Sequence, residues 1–199
     1  MLSLIAIFVI LLLNAVLNNA YPYFPTCSSS HLLTSSNLTI LNTLNGDVQG
    51  TCYNVTVNYA SKPKSNTPVM TWLAIPYAQP PLKTLRFKNP VPVESWSSIV
   101  DGTNWPNRCL QEYGKSTQNN AEDCLYLNLF VPYEVYANRW NKTMNAPILV
   151  WIHGGSLKSG SSIDDEFEPS TLVAMSNIIV VNINYRLNVY GFLHIKGKF

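Results

Sequence analysis

Apolar and polar positions along the chain form short alternating stretches, which predict strands rather than long helices. Two such stretches, LTILNTL and VQGTCYNVTVNY, flank Asn45-Gly46, a dipeptide typical of a β-hairpin turn. The alternation stops at residues 62–67, where KPKSNT predicts a loop, and resumes over residues 70–75. The amino-terminal half of the chain therefore predicts antiparallel strands.

Residues 76–96 are rich in proline and contain no glycine, which excludes a long helix and predicts an extended path over the surface. The polar segment 111–122 predicts a loop. The stretch CLYLNLFVP at residues 124–132 predicts another strand.

The carboxyl-terminal part predicts a strand, a helix and a second strand. The apolar run ILVWI at residues 148–152 is typical of a strand covered on both faces, and NIIVVNINY at residues 177–185 predicts a second buried strand. A short helix is expected between them at residues 169–175, with proline in its first turn. Such a crossover makes the two strands parallel, and ligands bind at the carboxyl ends of parallel strands. His153-Gly154-Gly155-Ser156 lies at one of those ends.

Gly154 and Gly155 are the candidate catalytic residues. Glycine has no Cβ, so two in succession allow a sharp turn whose N–H groups approach a ligand atom closely. Amides aimed at one point can form an oxyanion hole, which stabilises the negatively charged oxygen of a tetrahedral intermediate. The alternative is that the two glycines merely end the strand.

Residues 1–20 are mostly apolar and then turn small and polar, which predicts a signal peptide; a retained membrane anchor is the alternative. Residues 21–199 have the length of one domain or of part of a larger one. The 13 basic and 11 acidic residues are nearly balanced and form no basic run, so nucleic acid is not an expected partner.

The chain contains four cysteines, for which pairing is the default in an oxidising compartment and three connectivities are possible. None has metal-ligand spacing with another cysteine or with a histidine, so neither a metal nor a cofactor is predicted. Three Asn-x-Thr triplets, at Asn37, Asn54 and Asn141, are candidate glycosylation sites. These features together predict secretion or exposure on the outer face of the cell membrane.

Four segments together resemble the type-B carboxylesterase and cholinesterase family: AIPYAQPPLKTLRF, EDCLYLNLFVP, PILVWIHGGS and INYRLNVYGFL, in the family's order. The resemblance implies the amino-terminal part of an α/β-hydrolase fold, in which a small antiparallel sheet is followed by an incomplete central mixed sheet. It also implies that Gly154 and Gly155 supply oxyanion-hole amides and that Cys109 pairs with Cys124.

The chain departs from the family pattern at three glycine positions. Lys83 and Asn188 each replace a glycine, and Ser156 takes the place of the third glycine common in active esterases. Neuroligins, the adhesion members of the family, also have His-Gly-Gly-Ser here and resemble this chain in an insert at residues 58–71. Tyr113 is the single aromatic residue between Cys109 and Cys124, so a cholinesterase-like tryptophan for choline is missing and acetylcholine is not an expected substrate.

No Gly-x-Ser-x-Gly nucleophile turn occurs in residues 1–199, so the serine, acid and base of an esterase are expected after Phe199. The first hypothesis is therefore a fragment of a secreted carboxylic ester hydrolase, inactive alone, whose substrate is a small-molecule ester. The alternative is a fragment of a neuroligin-like adhesion protein that binds another cell-surface protein and reaches the membrane through a missing carboxyl-terminal region. A complete small binding domain is a third possibility.

Other polar residues have simpler interpretations. His153 is predicted to shape the glycine turn rather than act as a base, and His31 and His194 to lie in polar or solvated segments. The acidic residues between 164 and 168 are interpreted as a solvated loop at a helix start. Because strands beyond this chain would be absent, both ILVWI and IIVVNI are expected to expose an edge or an apolar face.

Overall fold

A computed structural model describes Cys27 and residues 38–59, 62–111, 120–139 and 145–194. The predicted signal peptide at 1–20, His31, Tyr113 and the candidate glycosylation sites Asn37 and Asn141 lie outside these residues. Within the described residues, no helix has the length and apolar character needed to cross a membrane.

Seven of the nine described strands form one mixed sheet with the order β1-β2-β3-β7-β9-β8, and β4 pairs with β2. The two remaining strands, β5 and β6, pair with each other. The strands are β1 (Leu38–Asn42), β2 (Asp47–Tyr59), β3 (Lys62–Pro76), β4 (Val100–Asp101), β5 (Arg108–Cys109), β6 (Asn120–Ala121), β7 (Tyr126–Pro132), β8 (Ile148–Ile152) and β9 (Ile179–Ile183). This arrangement confirms the predicted fold class, with the antiparallel strands joined to the mixed part through β3 and β7.

The β1–β2 hairpin is confirmed, because Asn42 faces Asp47 across a turn that contains Asn45-Gly46. The loop predicted at residues 62–67 is wrong, since β3 begins at Lys62 and pairs with β2 from there onward. A strand is defined by its backbone hydrogen bonds. A polar sequence can therefore form one where the side chains of the paired strands β2 and β3 are exposed to solvent. Thr56 and Asn66, which face each other there, are both exposed and hydrogen-bonded through their side chains at 3.1 Å.

Helices are short and few in the described part of the chain: α1 (Tyr133–Ala137), α2 (Ser170–Ser176) and α3 (Asn188–Phe192), with 3-10 turns at Lys83–Leu85 and Asp165–Phe167. The proline-rich segment contains the first of these 3-10 turns and no longer helix, as predicted. Pro169 precedes α2, and Asn177 ends this helix in the left-handed conformation. The predicted crossover is confirmed, because α2 connects β8 to β9 and these strands pair in parallel.

Burial differs between the two crossover strands. Every residue of β9 is at most 2% exposed, so the expectation that this strand would expose an apolar face is wrong. Every residue of β8 is 37–45% exposed, which confirms the expectation that ILVWI would expose an edge or an apolar face. It also corrects the interpretation of this run as a strand covered on both faces. The reason is position: β9 lies between β7 and β8, whereas β8 is the last strand of the sheet.

All four cysteines are paired. Cys109 bonds to Cys124, in agreement with the pairing that the family resemblance implies, and this disulfide brackets the short strand β6. Cys27 bonds to Cys52 in β2, a connectivity that the sequence left open. Cys52 is fully buried in the main hydrophobic core beside residues of β1, β3 and β7.

Candidate active site

The glycine turn follows β8 directly and has an unusual backbone. Gly155, Ser156 and Leu157 have φ values of 118°, 54° and 62°, so three consecutive residues occupy the left-handed region. Glycine adopts this region without steric cost, whereas residues with a Cβ do not. The turn is closed by the amides of Lys158 and Ser159, which donate to the Gly155 carbonyl at 3.0 and 3.1 Å.

The two candidate glycines have different reasons to be glycine. A Cβ on Gly155 would lie 1.9 Å from the Ser159 carbonyl oxygen, so the backbone itself requires glycine there. A Cβ on Gly154 would meet no atom within 4 Å, so packing in the described structure does not require glycine at this position. Both residues are exposed, and neither amide donates a hydrogen bond to another described residue.

His153 is buried beneath the glycine turn and contacts its backbone. Its side chain is 3% exposed and stacks on Tyr185, with the ring centroids 4.3 Å apart. Its Nδ1 is 2.8 Å from the Gly154 carbonyl oxygen, a geometry that places a proton on Nδ1, and the Tyr185 hydroxyl donates to the His153 carbonyl at 2.8 Å. Burial lowers the pKa of His153, so the ring is neutral in the folded protein near pH 7. These contacts fit the predicted turn-shaping role.

The loop that follows the turn returns to the sheet through buried polar side chains. The Asn184 side-chain oxygen accepts from the Ser161 hydroxyl at 3.1 Å and from the Ser162 amide at 2.8 Å. The Asn182 side chain donates to the Ser162 carbonyl at 3.0 Å and accepts from Asn128 at 2.8 Å. All five residues are at most 1% exposed, so this network anchors the loop to β7 and β9.

Asp164 corrects the interpretation of the acidic segment as a solvated loop. Its carboxylate forms an ion pair with Arg108, which is 7% exposed, and also accepts from the Ser161 amide at 3.1 Å. The Glu168 carboxylate accepts from the Ser170 amide at the start of α2, where the helix dipole favours an acidic group. No group of three or more acidic, histidine or cysteine side chains in the described residues could hold a metal ion.

Two further predicted residues complete the picture. His194 is exposed, as predicted, follows α3 and lines a pocket together with Ser156 and Leu157 of the turn. Asn54 lies in β2 opposite Pro68 and is partly exposed. The side chains that anchor the loop were missed by the sequence reasoning, although polar Asn182 and Asn184 within an otherwise apolar strand were a detectable signal.

Comparison with known proteins identifies the family. The model of the carboxylesterase family matches residues 37–198. The chain belongs to this family. Similar proteins include carboxylesterase 1F of Mus musculus, 39% identical over 139 residues and covering 63% of this chain, and pyrethroid hydrolase Ces2e of Rattus norvegicus, 36% identical over 176 residues and covering 80%.

Solved structures of esterases agree with this family assignment. A PNB esterase structure covers 78% of the chain with 36% identity and a TM-score of 0.61, and a thermophilic PNB esterase covers 78% with a TM-score of 0.62. The chain covers 24% and 29% of the lengths of the two rodent relatives, and 28% and 29% of the two solved chains. It therefore corresponds to about a quarter of a carboxylesterase-type protein.

Proposed function

We propose that this chain supplies the oxyanion-hole amides of a carboxylic ester hydrolase, through Gly154 and Gly155. The observation that carries the proposal is the open space at Gly154, where a Cβ would meet no atom and the amide has no acceptor among the described residues. Because no described residue fills the space beside Gly154, that space is assigned to the substrate.

The proposed chemistry is acyl transfer. A nucleophile adds to the ester carbonyl carbon, the carbonyl oxygen becomes an oxyanion, and the amides of Gly154 and Gly155 donate hydrogen bonds to it. Collapse of the intermediate expels the alcohol, which takes a proton from the general acid, and leaves the acyl group on the nucleophile. Water then adds to this acyl-enzyme and releases the carboxylic acid. The serine, acid and histidine of this reaction are proposed to lie outside residues 1–199. The substrate is proposed to be a small-molecule ester, and relatives whose names specify one include a para-nitrobenzyl esterase of Bacillus subtilis and a human cocaine esterase.

Secretion is part of the same proposal. Residues 1–20 are proposed to be a signal peptide and residues 21–199 the amino-terminal portion of a type-B carboxylesterase domain. Two disulfides within one short chain are typical of an oxidising compartment. The partly exposed side chain of Asn54 is accessible to glycosylation, and Asn37 and Asn141 are proposed as further sites.

One observation favours a second candidate, a neuroligin-like adhesion protein. Ser156, which replaces the third glycine of the turn, keeps the left-handed φ of 54° that glycine would adopt. A side chain at this position narrows the approach to the amides, as expected where catalysis is no longer selected. The partner would then be a cell-surface protein rather than an ester.

The deciding experiment begins with the transcript beyond the codon for Phe199. A Gly-x-Ser-x-Gly turn followed by an acid and a histidine supports the esterase, whereas replacement of that serine supports adhesion. The encoded protein is then assayed with p-nitrophenyl butyrate, and the 199-residue chain alone is expected to be inactive.

Variants at Gly154 test the role of the amides in the encoded protein. Gly154→Val should lower kcat by about 10²-fold or more, because its side chain fills the space assigned to the substrate. Gly154→Val should also leave the melting temperature unchanged, since a Cβ there meets no atom. Full activity in Gly154→Val would contradict the proposed oxyanion hole.

A further inference from the structure

The side chain of Gln111 makes a two-point contact with the loop beyond the glycine turn. Its Nε2 donates to the Gly160 carbonyl at 3.0 Å, and its Oε1 accepts from the Gly160 amide at 3.0 Å. The same Nε2 donates to the Cys109 carbonyl at 3.0 Å. One side-chain amide therefore satisfies both backbone groups of Gly160 and ties them to the disulfide Cys109–Cys124.

Gly160 lies directly against the turn. A Cβ on Gly160 would be 2.5 Å from the Gly154 carbonyl oxygen and 2.5 Å from His153 Nδ1. The φ of Gly160 is 104°, which also favours glycine. No side chain therefore fits between Gly160 and the turn. A shift of Gly160 toward the turn would displace the Gly154–Gly155 peptide, which carries the Gly155 amide.

Other contacts hold the outer side of the turn. The Leu157 carbonyl accepts from the Asn188 amide at 2.8 Å, and the Lys158 carbonyl accepts from the Asn188 side chain at 3.0 Å. These contacts hold the outer side of the turn, and the asparagine network holds the chain from Ser161 onward. Gln111 holds Gly160, the residue between these two anchored parts.

We propose that Gln111 is a positioning residue, which fixes the direction of the Gly155 amide by holding Gly160 against the Gly154–Gly155 peptide. This inference rests on the proposed function for the role of that amide, but the mechanical link through Gly160 stands on the contacts alone. Gln111 lies in the loop closed by Cys109–Cys124, so this loop would take part in arranging the oxyanion site.

The test uses the protein secreted from its natural gene, with Gln111→Ala, Gln111→Glu and the control Gln79→Ala. Gln79 donates to the Glu94 carboxylate at an exposed site, so Gln79→Ala makes the same substitution where the glutamine does not contact the turn. Gln111→Glu keeps an acceptor for the Gly160 amide, but its second oxygen, when ionised, faces the Gly160 and Cys109 carbonyl oxygens that Nε2 contacts at 3.0 Å. It should therefore disturb the turn at least as much as Gln111→Ala.

The first readout is hydrogen exchange at the amides of Lys158 and Ser159, which close the turn on Gly155. Gln111→Ala should speed their exchange by roughly tenfold, the factor that corresponds to about 1.4 kcal/mol. Gln79→Ala should leave it unchanged. Faster exchange at the Gly160 amide alone would show that Gln111 affects only its own contact, and this result would overturn the proposal. It would do so even if Gln111→Ala also lowers the free energy of unfolding.

The second readout is turnover of p-nitrophenyl butyrate. Gln111→Ala should lower kcat by about 10- to 100-fold with KM nearly unchanged, because a misplaced donor weakens transition-state binding alone. A higher KM with unchanged kcat would overturn the positioning role. If the wild-type protein shows no turnover, the proposed esterase fails, while the exchange measurement still decides whether Gln111 holds the turn.

Discussion

β8 and β9 are adjacent parallel strands of similar composition whose exposure differs sharply. The sequences ILVWI and IVVNI pair residue by residue, from Ile148 with Ile179 to Ile152 with Ile183. Yet β8 is at least 37% exposed at every residue and β9 at most 2%. An apolar run therefore indicates that a strand is compatible with burial. Whether the strand is buried depends on its neighbours in the sheet.

The strongest test of this contrast compares two isoleucines paired across the strands. Ile183→Ala should lower the free energy of unfolding by about 2–5 kcal/mol, because it leaves a cavity in the core. Ile152→Ala, at a residue 45% exposed, should lower it by roughly 1 kcal/mol or less. Urea unfolding of both variants measures the difference. Equal losses would show that β8 is covered in solution.

The polar residue within β9 provides a second test. Asn182→Ala removes the acceptor of Asn128 and the donor to the Ser162 carbonyl, leaving buried groups unpaired. The free energy of unfolding should fall by about 2–4 kcal/mol. Asn104→Ala, which removes an exposed side chain bonded to Asp101, should change it by less than about 0.5 kcal/mol in the same urea titration. Similar values for both would indicate that the buried network contributes little.

The loops after the two strands differ in backbone strain. Ser156→Gly, after β8, should raise the melting temperature, with a gain of about 0.5–1 kcal/mol, because serine is disfavoured at a φ of 54°. Asn188→Gly, after β9, should give no gain. Asparagine tolerates its φ of 52°, and its side chain donates to the Lys158 carbonyl. Calorimetry of both variants measures the two changes in melting temperature. A larger increase for Asn188→Gly than for Ser156→Gly would contradict this prediction.

The smallest expected effect concerns pH and the residue after β8. Burial holds the pKa of His153 below that of the unfolded chain, so the unfolded state binds the proton more readily. The contribution of His153 to stability is therefore present above pH 6.5, the usual pKa, and decreases as pH falls below it. Urea titrations at pH 7.5 and 5.5 should show a smaller loss of stability in His153→Phe than in wild type. The control His194→Gln should lose as much stability between pH 7.5 and pH 5.5 as the wild type does.

Sequence patterns predicted the fold well where local chemistry decides structure. Asn45-Gly46 marked the hairpin, and the apolar strands around a short helix indicated the crossover. The polar ribbon at the start of β3 was missed because backbone pairing with β2 defines that strand, a long-range contact with no local signature. The exposure of β8 was expected from the absence of further strands, but the same expectation was wrong for β9, because burial depends on strand order.

The sequence predicted where the glycine turn lies but not what its amides do. A turn was expected at Gly154-Gly155 because an apolar strand ends there, and the structure has a turn directly after β8. The catalytic role of these amides stays a prediction. The contacts of Gln111 and Arg108 with the loop were not predictable, since they join residues separated by 49 and 56 positions. Lys83, Ser156 and Asn188, noted as departures from a glycine pattern, all have φ values near 50°. The backbone conformation is therefore kept at all three positions.

The disulfide between Cys27 and Cys52 has a consequence for proteolysis. It closes a covalent ring of the chain from position 27 to position 52, and Cys52 is fully buried. A protease that cuts once between these positions would open the ring without releasing the amino-terminal piece. The two products would migrate together on a non-reducing gel and separate after unfolding and reduction.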